Sequence, residues 1–332
     1  MTGAPATLIL SRGDVAALMG QADWLEAVET GFRAAAEGRA QAPPPMAIEG
    51  QGGAFHAKGA SLRLDRLYVA LKLNGNFPDN MDRHGLPTIQ GAILLCDGET
   101  GSVLAMIDSI EVTLRRTAAA SALAARFLAR PDSRNILICG CGAQGAAQLE
   151  ALREVLPLAG GFAWDRDAEK AQAFAREASR AGLAVAVTGD LAAAAQASDV
   201  IVTCTTSRTP FLEADFVRPG TFVAAVGADS PEKNELCPAL MAKALIVADV
   251  AEQCAMMGDL HHALEAGAVR RSDVHAELAD LVGGAKPGRT RDDEIILFDS
   301  TGTALQDVAA SAFLYARAAG DPSRLVVRLG AL

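Results

Sequence analysis

Two kinds of hydrophobic spacing divide the chain. Over residues 11–39 apolar side chains recur every three or four residues, which is the spacing of an amphipathic helix. After the prolines at 43–45 the pattern changes to short apolar runs separated by turn residues, which indicates strands. These predicted strands lie at 54–58, 67–73, 91–96 and 103–107. The N-terminal region is therefore predicted to be an α+β domain built on an antiparallel sheet.

A long helix is predicted at 110–129, and beyond it short apolar runs alternate with alanine-rich helical segments. That alternation is typical of a doubly wound parallel sheet. The runs at 199–204 and 221–226 are apolar throughout, as in strands that are covered on both faces. The predicted strands are at 135–140, 161–165, 183–187, 199–204, 221–226, 244–249 and 294–298.

A glycine-rich turn follows the first of these strands. Its sequence is Gly140-x-Gly142-x-x-Gly145, with Ala143 and Gln144 inside it and a helical segment directly after it. The glycines let the backbone approach a pyrophosphate, and the helix N-terminus offers free N–H groups to that anion. The turn therefore predicts a dinucleotide site in a Rossmann-type domain.

An acid lies where the ribose of a dinucleotide is expected. The strand at 161–165 ends in Asp165, about 20 residues beyond the glycine turn, where a carboxylate holds the ribose diol. Asp165 repels a 2′-phosphate, so NAD(H) is favoured over NADP(H). Arg166 follows directly and either stacks on the adenine or accommodates a phosphate.

The predicted fold is α/β with two domains. Residues 117–304 form the Rossmann-type dinucleotide-binding domain. Residues 1–116, completed by a C-terminal helix within 305–332, form the substrate and dimerisation domain.

Charge and composition narrow the classes of partner. The chain has 332 residues and a net charge of −10, which argues against nucleic acid and anionic membrane surfaces. No leader sequence and no long uncharged apolar stretch is evident, so we expect no membrane association and a cytoplasmic location. The histidines and cysteines lack metal-ligand spacing, so no metal is expected.

Polar residues follow two of the buried strands, at the edge where ligands gather in parallel sheets. The hydroxyls of Thr203, Thr205 and Thr206 either line the cofactor or cap a helix. Asp229 is predicted either to move a proton at the reacting end of the cofactor or to cap the next helix. Three further cofactor contacts are expected at Thr117, Gly227 and Ser300.

Four basic residues are candidates for binding a substrate carboxylate. Lys72 interrupts an apolar strand, so it either extends along an edge or meets a ligand carboxylate. Lys58 and His56 share one strand face at i and i+2. Arg116 opposes the dipole of the long helix unless an anion is bound, and its guanidinium can hold a carboxylate in a bidentate manner.

Over essentially its whole length the chain resembles the ornithine cyclodeaminase/mu-crystallin family. The matching segments are Lys72 with Phe77-Pro-Asp-Asn80, Gly85-Leu-Pro-Thr-Ile-Gln-Gly91, Asp97-Gly-Glu-Thr-Gly101, Leu114-Arg-Arg-Thr-Ala-Ala119, Gly140-Cys-Gly-Ala-Gln-Gly145, Gly227-Ala-Asp229 through Lys233-x-Glu-Leu236, and Ser300-Thr-Gly302 through Gln306-Asp307. The resemblance implies a homodimer with a Rossmann domain. It also implies hydride transfer between nicotinamide C4 and the Cα of an amino or imino acid.

The resemblance also assigns roles to residues. Lys72 and Arg116 match residues that hold the substrate carboxylate, and Asp229 matches an acid–base aspartate. Many members carry an arginine after the prolines near position 45, which this chain lacks. No acid is evident there to hold the distal ammonium of ornithine. His56 and Lys58 either favour a distal anion on the substrate, or Lys58 replaces the missing arginine at the single α-carboxylate.

These features favour NAD(H)-dependent reduction of an α-imino acid, with iminosuccinate, the precursor of L-aspartate, as the candidate substrate. The alternatives are an ornithine or lysine cyclodeaminase that recycles NAD, a cyclic ketimine reductase and an alanine dehydrogenase. A further alternative is a protein that binds a small ligand in a nucleotide-dependent way without turnover.

Overall fold

The computed structural model describes residues 6–329, which form two compact units. One unit comprises the chain up to Arg116 together with the chain from Thr303 onward, and the other is Thr117–Gly302. The predicted substrate and dimerisation domain also includes the first five and the last three residues of the chain. These lie outside the described residues.

Sixteen strands are present in the described residues. They are β1 (Ala6–Leu10), β2 (Ala40–Gln41), β3 (Met46–Gly50), β4 (Gly53–Arg63), β5 (Leu67–Asn76), β6 (Ile89–Asp97), β7 (Val103–Asp108), β8 (Asn135–Cys139), β9 (Gly160–Trp164), β10 (Ala184–Val187), β11 (Val200–Thr203), β12 (Phe222–Ala225), β13 (Leu245–Ala248), β14 (Val274–Glu277), β15 (Ile296–Asp299) and β16 (Leu325–Arg328).

Twelve α-helices lie within the same span. They are α1 (Arg12–Leu18), α2 (Gln21–Ala36), α3 (Asn80–His84), α4 (Ser109–Leu128), α5 (Ala143–Arg153), α6 (Ala168–Arg180), α7 (Leu191–Gln196), α8 (Pro238–Lys243), α9 (Ala251–Met257), α10 (Asp259–Glu265), α11 (Leu278–Val282) and α12 (Ala304–Ala318). None of them is both long enough and apolar enough to cross a membrane.

The first unit contains an eight-stranded mixed sheet. Its strand order is β16-β1-β7-β6-β5-β4-β2, and β3 pairs with β4. The four predicted strands correspond to β4, β5, β6 and β7, and they pair antiparallel, as predicted. Strand β1, which was not predicted, pairs in parallel with β7, and all other neighbours are antiparallel. Three helices and five strands separate β1 from β7 along the chain, so no hairpin forces an antiparallel pairing.

Helices α2 and α12 of this unit pack together closely, since a Cβ on Gly31 would lie 3.0 Å from the Cβ of Ala309.

The two faces of this sheet differ in how far their side chains are exposed. Alternate residues of β4, β5 and β6, such as Leu62, Ala70 and Ile93, are buried. Large apolar side chains of the intervening residues remain exposed, namely Phe55, Leu71, Leu73 and Leu94, and so does Met106, which pairs with Leu94 from β7. This unit therefore carries a broad apolar surface on one sheet face.

The second unit contains an eight-stranded, wholly parallel sheet. Its order is β10-β9-β8-β11-β12-β15-β13-β14. Strands β11, β12 and β15 are buried along their whole length, as expected for strands with helices on both faces. The predicted α/β fold class is confirmed. Strands β9 and β11 lie on opposite sides of β8, so the strand order reverses there. A ligand crevice is therefore expected at the carboxyl ends of β8 and β11.

Candidate functional site

Three glycines shape the turn after β8, each for a different reason. Gly140 has a φ of +106°, and a Cβ there would lie 2.8 Å from the carbonyl oxygen of Cys204. A Cβ on Gly145 would overlap the carbonyl oxygen of Gly140, so this glycine lets the helix pack on the turn. Gly142 caps α5, and a Cβ there would meet no atom within 4 Å. Gly142 therefore faces open space, where a ligand can approach the backbone.

A cleft of about 690 Å³ opens beside this turn. Six predicted cofactor residues line it, namely Gly140, Gly142, Asp165, Arg166, Thr205 and Thr206. Trp164 and Phe211 also line the cleft, and their rings stack with centroids 5.0 Å apart. The cleft thus combines an open helix N-terminus with an acid, a base and an aromatic wall.

Backbone hydrogen bonds orient the carboxylate of Asp165. One oxygen accepts from the N–H of Cys141 at 2.8 Å, and the other accepts from the N–H of Asp167 at 2.9 Å. Arg166 and Lys170 line the same cleft. The acid predicted to bind the ribose is therefore held in place, in a cleft that two cations also line.

Glu235 is a buried carboxylate that the sequence analysis did not single out. Its Oε1 accepts from the N–H of Thr205 at 2.6 Å and from the hydroxyl of Thr205 at 2.7 Å. Its Oε2 accepts from the N–H of Gly227 at 3.0 Å. Glu235 therefore joins the segments that follow β11 and β12. The motif Lys233-x-Glu-Leu236 was the only sequence signal for it.

Burial raises the pKa of Glu235, and the nearby Asp259 raises it further. The hydrogen bonds from Thr205 oppose this rise because they favour the charged form. Asp259 in turn accepts from the N–H groups of Glu235 and Leu236. The strand-end segments beside the cleft are thus held by two linked, buried carboxyl groups.

Four other predicted cofactor residues are either buried or bonded within the protein. Thr203 is fully buried, and the N–H of Gly227 is bound to Glu235. The hydroxyl of Ser300 donates to Asp249 at 3.0 Å, and the carbonyl oxygen of Thr117 accepts from the amide of Gln148.

The two remaining predicted residues, Ala143 and Gln144, form the first turn of α5. The side-chain nitrogen of Gln144 is buried and has no hydrogen-bond partner among the described residues. Gln144 is thus a donor in the glycine turn whose partner the described chain does not supply.

Asp229 lies directly beyond β12 and stays accessible. Its side chain is 53% exposed and forms an ion pair with Lys233 at 2.5 Å. It caps no helix, because the next helix, α8, begins at Pro238 and has Cys237 at its N-cap position. No helix lies between β11, which ends at Thr203, and β12 either, so the capping interpretation was wrong for both segments.

The basic residues of the first unit surround a second carboxylate. Asp307 of α12 lies 2.7 Å from Nζ of Lys72 and 3.1 Å from Nε of Arg116. Arg116 also donates to Oε1 of Gln306 at 2.7 Å. Only 4% of the Lys72 side chain and 5% of the Arg116 side chain are exposed.

These contacts correct two interpretations. Lys72 does not extend along an edge, because β5 lies between β4 and β6, and its side chain is buried on the face opposite to Leu71 and Leu73. The anion beside Arg116 is supplied by the protein itself, as Asp307.

Burial lowers the pKa of Lys72 to about 7, and the positive charges of Arg116 and Lys58 act in the same direction. Asp307 opposes this shift. Burial alone would raise the pKa of Asp307, but Lys72 and Arg116 outweigh burial and lower it. Within the group of Lys72, Arg116 and Asp307, two cations and one carboxylate leave an excess of one positive charge while Lys72 is protonated.

The register of β3, β4 and β5 defines the neighbours of Lys72. Lys58 pairs with Lys72, and His56 pairs with Asn74, so Lys58 and His56 share the face of Lys72. On the other side of β4, Glu49 pairs with Ala54, two residues from His56 and on the same face. The expectation that no acid lies in this region was therefore wrong. Glu49 was missed because β3 was not predicted as a strand.

Taken together, the parallel sheet, the glycine turn and the acid after β9 define a dinucleotide-binding protein of the oxidoreductase type. The chain belongs to the ornithine cyclodeaminase/mu-crystallin family, whose sequence profile it matches over residues 6–321.

Known relatives match nearly the whole chain. An alanine dehydrogenase of Archaeoglobus fulgidus is 39% identical over 312 residues, which are 94% of this chain and 95% of the relative. An archaeal alanine dehydrogenase dimer with bound NAD has a TM-score of 0.93 and 37% identity, covering 98% of this chain and 99% of that one. The iminosuccinate reductase of Paracoccus denitrificans in complex with NAD⁺ has a TM-score of 0.91 and 32% identity, covering 98% and 100%. The protein is an oxidoreductase that acts on CH–NH2 or C=N groups.

The glycine turn yields a paired test. Gly142→Ala is expected to leave the melting temperature close to wild type but to weaken NADH binding, because its Cβ would enter only the open space of the cleft. Gly145→Ala is expected to lower the melting temperature, since its Cβ would overlap the Gly140 carbonyl. Thermal unfolding and NADH fluorescence titration measure the two effects. Unchanged NADH affinity in Gly142→Ala would contradict the assignment of the cleft.

Proposed function

We propose that this protein reduces an α-imino acid to an L-amino acid by transferring a hydride from NADH to Cα. The observation that carries the proposal is the buried group of Lys72, Arg116 and Asp307. Its excess positive charge suits a substrate that brings one carboxylate into a poorly solvated site. The relatives named for alanine and iminosuccinate chemistry support a substrate of this type.

Separate residues serve binding and proton transfer in this proposal. Lys72 and Arg116 hold the α-carboxylate and so orient the imine carbon for hydride attack. Asp229, exposed and paired with Lys233, supplies or accepts the proton on nitrogen. If Asp229→Asn turned over substrate at the wild-type rate, this role for Asp229 would be excluded.

NAD(H) is the proposed cofactor. The fixed carboxylate of Asp165 suits the two hydroxyls of an unphosphorylated ribose. The named structures with NAD bound support the same choice. Arg166 and Lys170 line the same cleft and could hold a 2′-phosphate, so a comparison of KM for NADH and NADPH is the direct test.

The substrate we favour is a dicarboxylic imine such as iminosuccinate, which yields L-aspartate. Lys58 and His56 lie on the face of Lys72 and are suited to a second carboxylate. Glu49 on the same face supports a second candidate, cyclodeamination of ornithine or lysine, because a carboxylate there can hold a distal ammonium. Reduction of iminopyruvate, which is the reaction of an alanine dehydrogenase, needs no contact to a distal substrate group. The same holds for reduction of a cyclic ketimine.

We also propose that the active form is a homodimer. The exposed apolar side chains on one sheet face of the first unit, among them Phe55, Leu71 and Met106, form the kind of surface that a partner covers. An archaeal relative is described as a dimer. Sedimentation equilibrium tests this, and a mass of a single chain at micromolar concentration would exclude it.

The substrate assignment is tested by NADH oxidation at 340 nm with several imines. Oxaloacetate plus ammonium, pyruvate plus ammonium and a cyclic imino acid are compared, and ornithine is assayed for ammonia release. We expect turnover with oxaloacetate plus ammonium that exceeds all the others.

Two matched variants test whether Lys58 or Glu49 contacts the distal group of the substrate. Lys58→Gln is expected to lower kcat/KM for oxaloacetate plus ammonium by about 10- to 100-fold, the usual range for losing a hydrogen bond to a charged group, and to spare pyruvate plus ammonium. Glu49→Gln is expected to leave both unchanged. Ammonia release from ornithine that Glu49→Gln abolishes would instead establish the cyclodeaminase.

The pKa of Lys72 predicts a pH profile. If protonated Lys72 binds the carboxylate, kcat/KM falls as the pH rises above about 7, because the lysine then loses its charge. Lys72→Arg is expected to remove this decline, since arginine stays protonated. Asp307→Asn is expected to move the decline to lower pH by about one unit or more, because the opposing negative charge is gone. An unchanged decline in Lys72→Arg would contradict the role of Lys72.

A further inference from the structure

Helix α10 carries three potential metal ligands outside both sites described above. They are His261, His262 and Glu265. One ring nitrogen of each histidine and one carboxylate oxygen of Glu265 all lie within 4.8 Å of one another. Nε2 of His261 lies 3.5 Å from Oε2 of Glu265. No part of the proposed reaction uses this group.

Backbone carbonyls determine which ring nitrogens are free to bind a metal. Nδ1 of His261 lies 3.2 Å from the carbonyl oxygen of Ala255, and Nε2 of His262 lies 2.9 Å from that of Lys233. A carbonyl oxygen only accepts hydrogen bonds, so these two nitrogens carry the protons. In the neutral rings, Nε2 of His261 and Nδ1 of His262 therefore keep their lone pairs. Metal-binding histidines are commonly oriented by such hydrogen bonds from the other nitrogen.

We propose that His261, His262 and Glu265 form a binding site for a divalent transition metal ion of the Zn²⁺ class. Two imidazoles and a carboxylate suit such ions, whereas Mg²⁺ and Ca²⁺ prefer oxygen ligands alone. Bonds of about 2.0–2.1 Å at tetrahedral angles place two ligand atoms about 3.4 Å apart. The His261–Glu265 separation of 3.5 Å already matches this distance.

The site is connected to the loop that carries Asp229. His262 binds the carbonyl oxygen of Lys233, and the side chain of Lys233 is paired with Asp229. A metal on Nδ1 of His262 holds that ring in the tautomer that donates to Lys233. Zn²⁺ binding is therefore expected to stabilise the folded protein by mass action and to anchor this loop to α10.

The test uses the full chain after removal of metal by a chelator. Zn²⁺ is titrated in competition with a chromophoric chelator, and Co²⁺ binding is followed by its visible absorption. We expect one ion per chain and a melting temperature that rises with Zn²⁺ but not with Mg²⁺. Glu265→Gln and His261→Gln are each expected to weaken Zn²⁺ binding at least about tenfold, the lower end of what even an outer-shell change costs.

His275→Gln is the matched control, because His275 also binds a backbone carbonyl but lies outside this group. It is expected to bind Zn²⁺ like the wild type. Glu265 is 65% exposed, so its replacement leaves the fold intact, which circular dichroism checks. Absence of saturable binding at micromolar Zn²⁺, equal affinity in Glu265→Gln, or a cobalt–thiolate absorption band would each overturn the proposal. NADH turnover is not part of the test, so its outcome is independent of the proposed function.

Discussion

The buried carboxylate of Asp307 is the interaction on which the first unit depends most. It lies between Lys72 of β5 and Arg116 of α4, and it is itself on α12. Removing one partner from a buried ion pair leaves an unpaired charge and costs about 3–5 kcal/mol. Asp307 therefore ties the closing helix to the sheet and also keeps two cations in a poorly solvated place. In the reaction that we propose, the substrate carboxylate meets cations whose position is already fixed.

A second buried carboxylate has the corresponding role in the parallel-sheet unit. Glu235 accepts hydrogen bonds from the segments after β11 and β12, so the cleft residue Thr205 is held by a side chain outside the cleft. A Cβ on Gly227 would overlap this carboxylate, which explains the glycine there. In both units, buried acids position groups that we assign to ligand binding. That arrangement limits the reorganisation required when substrate and cofactor bind.

Local signals made much of this architecture predictable. The glycine turn, the acid at the end of β9 and the alternation of strands and helices each occupy a short stretch of sequence. Strand β3 was missed because its residues are mostly exposed, so no alternation of apolar and polar residues marks it. Glu49 was overlooked with it. The pairing of Lys72 with Asp307 spans most of the chain, and only the strand register and helix packing bring the two residues together.

The central claim is that hydride passes from nicotinamide to Cα of an imino acid. The most direct measurement uses NADH carrying deuterium at the transferable C4 position, with oxaloacetate and ammonium as substrates. Hydride transfer to Cα gives L-aspartate with deuterium at Cα, seen by mass spectrometry and by the loss of the Cα proton signal in NMR. Oxidation of the cofactor with no deuterium at Cα of any amino-acid product would contradict it.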